Sequence, residues 1–72
     1  MTKEMELMAR LESLKMFALV TRDKVLEMQL YDNSGLLGES MRESMMNEIE
    51  RRIEFTDEQI MIVFVELREL TA

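Results

Sequence analysis

Leu7, Leu11, Leu14, Ala18, Thr21, Val25 and Met28 recur at alternating spacings of four and three residues. That rhythm is the heptad seam of a helix packed against another helix. Met8, Leu19 and Leu26 lie beside the seam and widen it. The pattern predicts a helix over about residues 3–31, with Glu6 to Arg10 and Glu12 to Lys15 as supporting charge pairs on its outer side. Thr21-Arg22-Asp23 is a polar interruption at which this helix could break in two near residues 21–23. Val25-Leu26-Glu27-Met28-Gln29-Leu30 partly alternates, so strands at Met16 to Val20 and Val25 to Tyr31 are the competing reading. Two strands without a third are marginal, and the flanking pattern is helical.

Asp32-Asn33-Ser34-Gly35-Leu36-Leu37-Gly38 is the clearest break in the chain. Its short polar side chains compete for backbone hydrogen bonds and its glycines permit left-handed conformations, so a loop is predicted over 32–38 with antiparallel neighbours. A helix is predicted over about 39–54, opened by Glu39 or by a Ser40-Met41-Arg42-Glu43 capping box and carrying Met41, Met45, Ile49 and Ile53 on its apolar side. Thr56-Asp57-Glu58-Gln59 reads as a fresh start, a capping box with acidic residues in the first turn. Phe55 would staple onto Ile60 across that start. A final helix is therefore predicted over about 56–70, with Ile60, Val63, Phe64, Leu67 and Leu70 as its stripe and Met61, Ile62 and Val65 broadening it. A helix this apolar has to be surrounded.

Length decides what surrounds it. A single domain of 72 residues buries only about 60% of the surface its unfolded chain exposes and is marginal alone. Disulfides, metals and association are the usual remedies, and the chain contains neither Cys nor His, which leaves association. The expected architecture is all-α, a small antiparallel bundle of two or three helices completed by homodimerisation. Ile60, Val63, Phe64, Leu67 and Leu70, with Leu7, Leu11 and Leu14 from the first helix, are the expected oligomer interface.

Charge and chemistry narrow the function further. The net charge is −6, and all of the excess lies in residues 32–72. An acidic surface disfavours nucleic acid and anionic membrane, while the longest apolar run, Ile60 to Val65, is far short of the roughly 20 residues that span a bilayer. The opening MTKEMELMAR lacks the order of a signal peptide, so the cytoplasm is the expected compartment. Nucleophile–histidine catalysis and His-supported di-iron or zinc sites are excluded by composition. The consecutive Asp32-Asn33-Ser34-Gly35 lacks the alternation of a calcium loop, and paired carboxylates for glycoside cleavage lack a cleft. Nine methionines are read either as core filler or as an adaptable groove for a partner helix, with a thioether copper site a distant third. No enzyme activity and no cofactor are expected. The expected function is an acidic, regulatory or adaptor-like interaction module that binds itself and another protein through an apolar strip rimmed by acidic residues. Met41, Met45, Tyr31, Glu43 and Glu50 are the candidate partner surface. The alternatives are a structural coiled-coil subunit and, less favoured, a dimeric nucleic-acid-binding regulator using Arg42, Arg51 and Arg52.

Overall fold

The computed structural model describes residues 2–71 and shows two α-helices joined by a tight turn: α1, Lys3–Asn33, and α2, Glu39–Thr71. The fold is all-α, with no strand among the described residues. The strand pair considered for residues 16–31 is therefore absent, and helix runs through the whole segment. Arg10 reaches Gln59, Phe17 meets Phe55 and Lys24 pairs with Glu48. Residue numbers fall along α2 as they rise along α1, so the helices are antiparallel. The Cα envelope is a rod of 52 × 15 × 14 Å.

Each end of α1 is closed by a recognisable device. At the start, the Thr2 hydroxyl accepts the Met5 amide at 3.2 Å, which satisfies one of the free donors of the first turn. At the end, the Leu36 amide donates to the Tyr31 carbonyl and the Gly35 amide to the Asp32 carbonyl, both at 3.1 Å. Those two bonds form a Schellman motif, which needs a left-handed residue just past the helix. Gly35 supplies it with φ of 70°. The chain then turns over the buried Leu37, and the Gly38 carbonyl accepts the Arg42 amide at 2.9 Å to open α2. The helix starts at Glu39, so Ser40 lies inside it and does not act as its cap. Asp32 and Arg42 are paired across the turn.

Two expected breaks do not occur, and the same physics removes both. The Thr21 hydroxyl donates to the Phe17 carbonyl at 3.1 Å, and the Thr56 hydroxyl donates to the Arg52 carbonyl at 2.7 Å. Each threonine uses the carbonyl four residues back, and so satisfies its hydroxyl without leaving the helix. Thr56 is therefore an interior residue of one long α2, and the separate helices over 39–54 and 56–70 are a single element. Both threonines are buried between α1 and α2.

The apolar seam of α1 follows its predicted rhythm. Leu7 and Leu14 are buried, Leu11, Val25 and Met28 half-buried, and only the small Ala18 is open. On α2 the inward residues are Met45, Ile49, Arg52, Thr56, Ile60, Val63 and Leu67. Ile53, assigned inward from the sequence, points out, and Arg52 takes its place. A strict spacing of four drifts about 40° per step around a helix of 3.6 residues per turn, so a seam that stays facing its partner must insert threes. The tightest packing is at the end away from the turn, where Val63 is 0% exposed and meets Leu7 and Leu14, with Leu11, Ile60 and Leu67 around them.

Candidate functional site

The two long edges of the hairpin, where α1 and α2 meet solvent side by side, differ in chemistry. One edge is closed by contacts between the helices. Arg10 donates to Gln59 at 3.0 Å and lies 3.9 Å from the Glu66 carboxylate. Midway, the Arg52 guanidinium sits 3.9 Å above the Phe17 ring while its Nε donates to the Thr21 hydroxyl at 2.9 Å. The Phe55 ring meets Phe17 edge-on, with centroids 5.6 Å apart. Lys24 and Glu48, 3.4 Å apart, continue the edge towards the turn. The ion pairs are partly open to solvent and worth about 0.2–1 kcal/mol each, so the Phe17, Arg52 and Phe55 cluster is the main clasp.

Arg52→Ala is expected to destabilise the chain by about 1–2 kcal/mol, through loss of the cation–π contact and the hydrogen bond to Thr21. Arg52→Lys is expected to recover less than half of that, because an ammonium cannot stack its plane on Phe17 while donating sideways to Thr21. Urea denaturation followed by circular dichroism measures both. Equal stability of the alanine variant and the parent chain would show that the clasp contributes nothing.

The opposite edge carries no such closure. At about 100° per residue, Met8, Leu19 and Leu26 of α1 and Met46, Ile53 and Phe64 of α2 turn to this side. All six are exposed, Phe64 at 52% and Ile53 at 46%. Between the helices at mid-length, Ala18, Thr21, Ile53, Thr56 and Asp57 leave a depression of about 110 Å³. Towards the end of α2, Ile60, Phe64, Leu67 and Met61 line an open groove of about 820 Å³ bordered by Asp57 and Arg68. The groove lining is mainly hydrocarbon, and its polar groups stand at the margins. Contiguous apolar faces are a common feature of contact surfaces in small proteins.

The residues singled out from the sequence divide between interior and surface. Leu7, Leu14 and Val63 of the expected oligomer interface are sealed between the two helices of one chain. Ile60, Phe64 and Leu67 reach the open groove, Leu11 lies at the edge of the core, and Leu70 is exposed near the end of α2. Met41, Met45, Tyr31, Glu43 and Glu50 do not share one face. Met45 sits half-buried in the seam, Met41 and Tyr31 are exposed near the turn, and Glu43 and Glu50 are exposed where the open edge of α2 meets its outer side. Arg42 is held by Asp32 and Arg52 by Thr21 and Phe17, while Arg51 points away from both. Among the described residues no group of three or more acidic side chains could hold a metal ion, and no helix is long and apolar enough to cross a membrane.

The unpaired edge is what sequence reading did not isolate. Its signal was present in Met8, Leu19 and Leu26 beside the first seam, but which side of α2 they share depends on the rotation of α2, which its whole inward row from Met45 to Leu67 sets. Comparison of the chain with protein-family models, with curated proteins and with solved structures finds no match.

Proposed function

We propose that this chain is a non-catalytic helical interaction module of the cytoplasm, adaptor-like or regulatory, that works by burying its apolar edge against another helical protein surface. The difference between the two edges supports the reading: one is clasped by Phe17, Arg52 and Phe55, and the other presents Met8, Leu19, Leu26, Met46, Ile53 and Phe64 to solvent. Leaving those side chains in water forgoes about 25 cal/mol for each Å² of apolar surface that a partner would cover. The acidic side chains Glu43, Glu50 and Asp57 along the rim favour partners that bring basic groups to the same border.

The reading is tested with an Ile53→Glu, Phe64→Glu double variant. Both side chains lie outside the packed seam, so the variant should keep its helix content. Tagged parent chain isolated from cells that express it is expected to retain a bound protein, itself or another, that the double variant loses. Equal recovery by both chains, or an empty parent chain, would overturn the reading.

A further inference from the structure

Resting on that reading, we infer that the occupant of the apolar edge is a second copy of this chain, related by a two-fold axis parallel to the helices, so that α1 of each copy packs on α2 of the other in an antiparallel four-helix bundle. Register points to this arrangement. Within one chain Phe17 stands level with Phe55 and Lys24 with Glu48. The same register sets Met8 level with Phe64, Leu19 with Ile53 and Leu26 with Met46. It also sets Glu4 level with Arg68, Lys15 with Asp57 and Arg22 with Glu50. Rotation about an axis parallel to the helices preserves height while exchanging α1 for α2. Each of these pairs then forms between copies, three apolar and three of opposite charge.

Within one chain the charged partners do not meet. None of these three charge pairs appears among the ion pairs of the described residues, and Lys15 instead binds its neighbour Glu12 at 3.1 Å. Side chains about 80–140° round from the facing seam splay apart within the hairpin, and in a four-helix bundle those positions face the adjacent helix of the other copy. The other two-fold arrangement, with the axis perpendicular to the helices at the level of Phe17 and Phe55, sets Lys15 against Leu19 and Ile53 against Asp57 of the second copy. It sets a charged side chain against an aliphatic one at both places, whereas the parallel axis gives each of these charges an opposite partner, so register selects the parallel axis. The mid-length depression supplies a hole at the level where the second copy's Leu19 and Ile53 arrive. With a rod 52 Å long and 15 Å wide, the face offers on the order of 800 Å² per copy, the size of a standard stable interface.

The chain has no cysteine of its own, so single-cysteine variants report the arrangement directly. Leu19→Cys and Ile53→Cys both replace exposed side chains, so each variant should fold. Mixed and gently oxidised, the two are expected to give a disulfide-linked heterodimer, while either alone gives none because its own position in the other copy lies diagonally across the bundle. In parallel, Lys15→Glu with Arg22→Glu should raise the dissociation constant at least about tenfold, and adding Glu50→Arg with Asp57→Lys should restore it. Efficient linking of either variant alone would overturn the parallel axis while leaving the edge an association surface. No linking in the mixture, with the position-53 thiol shielded from a water-soluble reagent, would overturn the second copy and leave a different occupant. No linking with that thiol fully reactive and the chain monomeric would remove the association reading as well.

Discussion

Val63→Glu is expected to abolish the fold, whereas Phe64→Glu, one position on, is expected to leave helix content unchanged and remove association. The two residues sit about 100° apart around α2. Val63 is 0% exposed and wedged against Leu7 and Leu14, while Phe64 is 52% exposed on the open groove. A carboxylate at position 63 would have no partner in that apolar pocket, and an unpaired buried charge costs at least about 3–5 kcal/mol. A two-helix chain has little more than that in reserve. Far-ultraviolet circular dichroism at matched concentrations separates the two variants. A folded Val63→Glu chain would mean that the Leu7, Leu14 and Val63 contact is not the centre of the core.

The contrast also marks what the sequence alone could and could not say. The seam of α1 was legible because a heptad rhythm depends only on spacing, and the turn was legible because Gly35 and the Asp-Asn-Ser run are local signals. The break expected at Thr56 had an equally local basis, since a Thr three residues ahead of a Gln suits a helix cap. It failed because a hydroxyl has a second option, the carbonyl four residues back, and packing against α1 favours the uninterrupted helix. Ile53 was misplaced for a related reason. Hydropathy prefers Ile53 to Arg52 for an inward position, but Phe17 and Thr21 on the facing helix receive the guanidinium, and α2 is rotated so that this contact forms together with the Val63 packing. Once α2 is turned that way, Met46, Ile53 and Phe64 come to one edge beside Met8, Leu19 and Leu26. No window of neighbouring residues contains this edge, because it exists only when two helices are read side by side.

The thermal midpoint should therefore depend on concentration. If the second copy covers the apolar edge, unfolding converts one folded dimer into two chains, and mass action favours the dimer as concentration rises. With an unfolding enthalpy near 0.7 kcal/mol per residue, a dimer of this chain has roughly 100 kcal/mol to absorb at its transition. That enthalpy gives a rise of roughly 5 °C for each tenfold increase in concentration, or about 15 °C over a thousandfold series. The Ile53→Glu, Phe64→Glu double variant should melt lower and at one temperature throughout the series, since a monomer gains nothing from its neighbours. Calorimetry or circular dichroism on both chains makes the comparison. A parent chain whose midpoint is as flat as the variant's would show that the hairpin covers what it needs to cover by itself, and that the open edge waits for a protein other than its own copy.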